Sequence, residues 1–398
     1  MTTGSLRRIV YGLAACLPFL ISVLSLSACD DRAELPRKGF VMGVALDATD
    51  RGSIQLSVQF FKPSQSVTGK GKSGRAYINV RTEDQSVIEA VRDITIHLGR
   101  KAQWSHMRVI LVGEELARQM PLLDVLEFFY RDHEPRLTSH ILITKGRAAD
   151  YLNVPPYIEN TISQQYFQSE QAAHQLSGKT SRIDLLDLAL QARSESGTAL
   201  LPYLYVQNED RLSTPNIAGA AVLAQGRVRT IVPSQLLEGL LTLRNDYRSG
   251  ILEVPCEGKF ASPHLLQEDA AEVLQLQSRM TVKVQENRLH LIFRAKGYVA
   301  ISEMVCGKTL TPDEEVKLRD RVQRSLEQAM GESADWMLEK RLDLVGAGNR
   351  LHETNPRLWK TWKEDWPSRF GRSSYEVHAE ITIVTTGTNA GKPIRSEM

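Results

Sequence analysis

One apolar run near the start divides this chain into two parts with different fates. Residues 9–26 are mostly apolar, Arg7 and Arg8 precede them, and a charged, fold-like sequence begins at Asp30. Basic residues, an apolar stretch and then small residues is the order of an export signal. Pro18 interrupts the run and costs helix stability. A run of this length is near the lower limit for a membrane-spanning helix. An uncleaved anchor and an ordinary signal cut after Ala28 are the competing readings. On each of them the folded body starts near residue 29.

The run closes on Leu26-Ser27-Ala28-Cys29. This resembles the bacterial lipobox, in which the cysteine sulfur is joined to diacylglycerol and the chain is cut just before it. The resemblance implies a cleaved lipoprotein signal peptide at 1–28 and lipidation at Cys29. One acyl chain holds a protein on a membrane only marginally, whereas two hold it firmly, at about 0.8 kcal/mol per buried CH2.

The 398 residues are 42% hydrophobic and 24% charged, enough for two or three domains with proper cores. The net charge is +2, and losing Arg7 and Arg8 brings it near zero. Such a chain lacks the concentrated basic excess of a nucleic-acid binder. Of the four cysteines, Cys16 lies in the signal and Cys29 is assigned to lipid. Cys256 and Cys306 remain and can form one disulfide in an exported chain. Two buried, unpaired thiols are the alternative. No Cys-x-x-Cys, paired-His or His-Glu-x-x-His pattern occurs, so neither zinc nor another cofactor is implied.

Residues 30–38 read as a tether. Residues 40–47 and 54–60, the latter alternating apolar and polar, predict an antiparallel hairpin across the turn at 50–53. A polar loop at 62–74 lacks the spacing of a phosphate loop. Its surface character makes it the candidate partner-contacting segment. Thr82 and Gln85 suggest a capping box before a helix with Val87, Ile88, Val91, Ile94 and Leu98 on one face. Strands at 109–112 and 137–143, with helices between and after, predict strand–helix–strand units. A helix begun by Ser181 or Asp184 carries Ile183, Leu186, Leu190 and Leu185. After Gly197, Pro202 and Pro215 mark an irregular segment, and the main boundary is placed here.

Beyond it come a hairpin (217–223 and 228–232), a helix at 235–245 and strands at 251–255, 280–284 and 289–293. A long helix starts at Thr311-Pro312 with Asp313, Glu314 and Glu315 in its first turn, which suits the helix dipole. Val316, Val322, Leu326, Met330, Met337 and Leu342 mark its apolar face, and residues 346–348 end it. A closing strand spans 375–385. The class is α+β, with consecutive mixed-sheet α/β domains and a long C-terminal helix. The expected division is 29–195 and 196–398, with a further split near 300.

No catalytic set emerges. Ser105-His106 lacks a third member and a Gly-x-Ser-x-Gly elbow, so a structural hydrogen-bonding role is favoured for His106. Glu114-Glu115 and Asp313-Glu314-Glu315 read as helix-start acids. Trp359, Trp362 and Trp366 fall on one helical face, where a core-facing stripe is favoured over an exposed aromatic surface.

Three separated segments together resemble one family. The first is Asp31-Arg32-Ala33-Glu34-Leu35 with Gly43-Val44-Ala45-Leu46-Asp47; Asp30 stands where the family has Trp. The second is 105–117, Ser-His-Met-Arg-Val-Ile-Leu-Val-Gly-Glu-Glu-Leu-Ala, with Arg131-Asp132 downstream. The third is Asp343-Leu-Val-Gly346-x-Gly348, then Pro356, Trp359, Trp362 and Trp366. The pattern is similar to that of the GerC-type lipoproteins, the C subunits of spore germinant receptors. The resemblance implies a non-enzymatic, lipid-anchored subunit on the outer face of the spore inner membrane. Its implied partners are the A and B membrane subunits, without nucleic acid or cofactor, and its implied role is nutrient-triggered germination. A solute-binding lipoprotein that captures the germinant itself is the alternative.

Overall fold

The computed structural model describes residues 38–62, 75–209, 212–256, 268–306 and 311–387. Its first half is a mixed sheet built outward from parallel strands. β1 (Lys38–Ala48), β2 (Ile54–Phe61) and β3 (Tyr77–Asp84) form an antiparallel meander, followed by α1 (Val87–Leu98). β4 (Lys101–Gln103) pairs with the start of β1. β5 (Val109–Gly113) then lies parallel to β1, and β6 (His140–Thr144) parallel to β5. Between them run three short helices, α2 (Glu114–Gln119), α3 (Leu122–Val125) and α4 (Glu127–Arg131). Every residue of β5 and β6 is buried, as expected where both faces of a parallel sheet are covered.

After β6 come α5 (Ala148–Tyr151), α6 (Ile162–Ala172) and α7 (Leu185–Ala192). Then β7 (Thr198–Glu209), β8 (Leu212–Ala224) and β9 (Arg227–Val232) extend the sheet, whose order is β3-β2-β1-β5-β6-β7-β8-β9. The expected division at 195/196 therefore falls before three strands that hydrogen-bond to the first sheet. Pro202 and Pro215 suggest a break because proline donates nothing to a strand ladder. Here Pro202 sits at a register shift, and Pro215 pairs with Val206. The first sheet thus continues to Val232.

The second sheet is β10 (Ile251–Pro255), β11 (Glu268–Gln285), β12 (Arg288–Glu303) and β13 (Ser374–Thr385), in that order. β12 runs unbroken through residue 300, so a split there would cut a paired strand. The second sheet packs with α8 (Leu237–Leu243) and the long α9 (Pro312–Lys340), followed by α10 (Ala347–Thr354), α11 (Pro356–Trp362) and α12 (Trp366–Phe370). The result is a mixed α/β architecture with two mixed sheets and a long C-terminal helix.

Period-2 alternation of β8 decides how the layers join. Ala221 and Leu223 point into the core shared with β1, β5, β6, α1 and α7. Ala220 and Val222 point the other way, into the core of the second sheet, α8 and α9. Further along that same sheet, Ala45, Leu111 and Leu142 pack under α5 and α6. One core cluster thus contains residues of both sheets.

Local corrections follow from side-chain geometry. The N-cap of α1 is Ser86, whose hydroxyl accepts the Glu89 amide at 3.2 Å. Thr82 lies inside β3 and donates to the Ala90 carbonyl at 2.7 Å, so the expected Thr82–Gln85 box does not form. On α9, Thr311 caps as expected, accepting the Glu314 amide at 3.3 Å. Its buried stripe begins at Leu318 and continues through Val322, Leu326 and Met330, whereas Val316 is exposed. The helix stops at Arg341, in the left-handed region at φ 57°. Residues 346–348 open α10 instead. At the free edge, α9 side chains meet outward amides of β13: Ala379 donates to Glu327 at 2.8 Å and Ile381 to Gln323 at 3.0 Å. This occupies donors that would otherwise template strand addition.

Candidate functional site

The sequence-predicted residues scatter rather than converge. Cys29, the expected signal at 1–28, residues 30–37 of the expected tether and residues 63–74 of the candidate loop lie outside the described residues. Cys256 and Cys306 are joined, with Cα atoms 5.3 Å apart. Beside them the buried Asp269 accepts the Val305 and Cys306 amides at 2.8 and 2.9 Å and pairs with Arg321 at 2.7 Å. This ties the half-cystine segment to α9.

Ser105 Oγ accepts from Gln103 Nε2 at 3.2 Å. His106 is exposed, with its ring edge-on to Phe40 at 5.3 Å. Its observed contact is aromatic packing, and the two residues do not form a nucleophile–base pair. Glu114 takes the phenol of Tyr203 at 2.7 Å and the guanidinium of Arg118 at 2.6 Å. Glu115 binds Gln119 on its own helix at 3.0 Å. Helix-start placement accounts for both acids.

Two aspartates of the family-like motifs, Asp47 and Asp343, do one kind of work. Asp47, buried at the end of β1, accepts the Ala148 and Ala149 amides at 2.6 and 2.9 Å. It thereby holds the first turn of α5, where free N–H groups and the helix dipole favour a carboxylate. Asp343 repeats the device on α10, accepting Ala347 at 2.8 Å and Gly348 at 2.7 Å. It also accepts the indole N–H of Trp366 at 3.1 Å. Desolvation raises the pKa of both acids, and the amide bonds oppose that shift.

The motif glycines make room for this packing. A Cβ on Gly348 would lie 2.8 Å from Trp359 and 3.1 Å from Trp366. A Cβ on Gly43 would collide with the side chain of Ser163 on α6. All three tryptophans are buried, as the core reading expects. They do not share one straight helix: a 3-10 turn at Lys363–Asp365 separates α11 from α12. That turn brings the rings of Trp359 and Trp366 edge to face at 4.8 Å.

Polar contacts across the two cores meet at one seam. Glu195, between α7 and β7, accepts the Trp359 indole N–H at 2.9 Å and pairs with Lys363 at 2.7 Å. The Lys363 and Trp359 hydrogen bonds hold its carboxyl below the usual range. Ser196 donates its amide to Asn349 at 3.0 Å, and Thr198 its hydroxyl to the Asp343 carbonyl at 2.6 Å. Arg244 donates to the Leu344 carbonyl and to Gln191.

Beside this seam lies a polar cleft of about 400 Å³. Its walls come from the turn after α6 (His174, Gln175), from Arg182 with Asp187 and Gln191 of α7, and from the segment after α8 (Arg244, Asn245, Asp246 and Arg248). Asp246 lies 3.7 Å from His174 and 3.5 Å from Arg248. Sequence reasoning missed the cleft, because its walls are distant in the chain. It also missed the buried His140–Glu170 pair at 2.6 Å, thirty residues apart. Among the described residues no group of three His, Cys, Asp or Glu could hold a metal ion. No described helix is long and apolar enough to cross a membrane.

Two family models match the chain. The spore germination protein N-terminal domain matches residues 31–206, and the spore germination B3/GerAC-like C-terminal model matches residues 218–387. The chain belongs to the GerAC-like spore germination family. Spore germination protein B3 of Bacillus subtilis (strain 168) is 21% identical over 92% of this chain and 96% of its own. Spore germination protein KC of the same organism is 20% identical over 95% and 96%. The crystal structure of the GerBC protein superposes with a TM-score of 0.53 at 17% identity, covering 86% of this chain and 97% of that one. At that identity the likeness establishes the shared fold.

Proposed function

We propose that this family member is a non-enzymatic, lipid-anchored C subunit of a nutrient germinant receptor. It is held at Cys29 on the outer face of the spore inner membrane and docks on the A and B membrane subunits. The observation that carries the reading is the full-length match to spore germination proteins. The structure of the motif acids supports it: Asp47 and Asp343 are occupied by backbone amides and Glu114 by Tyr203 and Arg118. The anchor contributes effective concentration, keeping the body beside partners embedded in the same membrane. The joined cysteines fit an exported chain.

The test is germination. Spores deleted for the gene, or carrying Cys29→Ala, should respond slowly or not at all to one class of nutrient while other classes act normally. A normal response to every nutrient in both strains would sink the proposal. If the chain captured the germinant itself, calorimetry of the purified protein would detect amino acids or sugars; the docking role expects no heat.

A further inference from the structure

Helix α7 carries two leucines that its own fold leaves in water. Leu186 is 46% exposed and Leu190 63% exposed. One turn apart, they form a ridge on the helix surface. Leu137, 43% exposed, adjoins it, because its carbonyl accepts the Leu186 amide at 3.1 Å. At about 100° per residue, Asp187 and Gln191 fall on the flank of this ridge, and both line the polar cleft. The leucines therefore stand beside that cleft, on the helix that supplies one of its walls. Leu176, 71% exposed, follows the cleft-lining Gln175. Within the lining, Arg244 Nε is buried without a hydrogen-bond partner, while Arg182 and Arg248 are exposed.

We propose that the leucine rim and the arginine-bearing cleft form one docking surface for a polypeptide segment with an apolar stripe and a carboxylate side chain. The stripe covers Leu186 and Leu190, and the carboxylate enters the cleft beside Arg182 and Arg248. Charge complementarity selects this occupant. Three arginines outnumber the two lining aspartates, so a single carboxylate is favoured. Asp187 and Asp246 stand among those arginines and oppose a dense layer of anionic lipid headgroups. The amide side chains of Gln175, Gln191 and Asn245 suit the mixed hydrogen bonding of a peptide. The inference rests on the proposal that the chain docks on membrane subunits and names the surface that does so.

The experiment uses the full chain with its own membrane subunits in sporulating cells. A photo-crosslinking residue replaces Leu186 or Leu190, and a control replaces the exposed Ile96 of α1, which packs at the β2–β3 end of the sheet. The expected result is a polypeptide adduct to a membrane subunit from the α7 positions and none from Ile96. Arg182→Glu, or Leu190→Glu, should reduce co-purification of the membrane subunits by roughly tenfold or more, the scale of an interface hot spot. Both positions are exposed, and an unchanged protein level with unchanged melting certifies the fold. Adducts to phospholipid alone would overturn the proposal in favour of a membrane-facing surface. Retained co-purification in both variants would also overturn it, while leaving the receptor role intact. Failure of the membrane subunits to co-purify with the unaltered chain would instead count against the receptor role.

Discussion

Removing the carboxylate of Asp343 should cost much of the stability of the region around the tryptophans. Its oxygens accept three donors: the amides of Ala347 and Gly348 and the indole N–H of Trp366. The residue is 2% exposed, so water does not readily replace it. Asp343→Ala leaves three buried donors unpaired, each worth about 1–3 kcal/mol. Relaxation and the relief of carboxylate desolvation return part of that, leaving a loss of about 4 kcal/mol. Asp343→Asn keeps one acceptor oxygen and should lose about half as much, roughly 2 kcal/mol. Urea unfolding followed by tryptophan emission gives both numbers, because the Trp359–Trp366 pair reports on the same turn. A double-mutant cycle with Trp366→Phe should return a coupling near 1 kcal/mol. A loss below about 1 kcal/mol in the alanine variant would refute the claim that this carboxylate holds α10 and α12 together.

Four further outcomes follow from the same geometry. Gly348→Ala puts a methyl into the tryptophan rings and should cost about 1–3 kcal/mol; Gly331→Ala meets only Tyr375 Oη at 3.6 Å and should gain up to about 1 kcal/mol, both read by urea midpoints. Burial, then the nearby Glu253, raises the Glu238 carboxyl from 4.5 to about 7. A raised acid stabilises the fold fully below its unfolded value and loses that contribution as pH rises through the folded one. Glu238→Gln should therefore match wild type near pH 4 and exceed it by at most about 3 kcal/mol at pH 8, measured by melting across that range. Breaking the Cys256–Cys306 link by a double serine substitution opens a loop of 50 residues' separation, worth about 4 kcal/mol in the chain-entropy view, and thiol titration before and after reduction checks the pairing.

Strand alternation and helix capping were legible in the sequence wherever the signal was local. The β1–β2 hairpin, the Thr311 cap and the burial of the tryptophans all rest on contacts within a few residues or on a strong periodic stripe. Reading failed where two local patterns competed. On α7, Leu186 and Leu190 satisfy helical spacing as well as Leu185 and Leu188 do, yet the latter pair is buried. Only the position of the sheet decides between the two faces. Likewise Thr82 and Ser86 both offer a capping hydroxyl, and pairing of β3 with β2 through Thr82 settles the choice. Pro202 signals a break locally, but a register shift in the β7–β8 pairing accommodates it. The cleft and the His140–Glu170 pair were invisible, since their members come together only through tertiary structure.

The same division between local and distant contacts describes how the two bodies of the fold are joined. Two of its family-like acids are used inside the molecule: Asp47 seats α5 on the first sheet, and Asp343 seats α10 beneath the tryptophans. Those two regions are not independent. Leu200 and Val222 of the first sheet share a core with Phe293 and Leu326 of the second body. Glu195, Ser196 and Thr198 bind the tryptophan region directly. A packed core of this kind does not deform continuously. Direct contacts thus connect the segment after α7 to α11 and the turn that follows it, through Glu195. The exposed leucines of α7, the docking surface proposed above, lie at one end of this run of contacts.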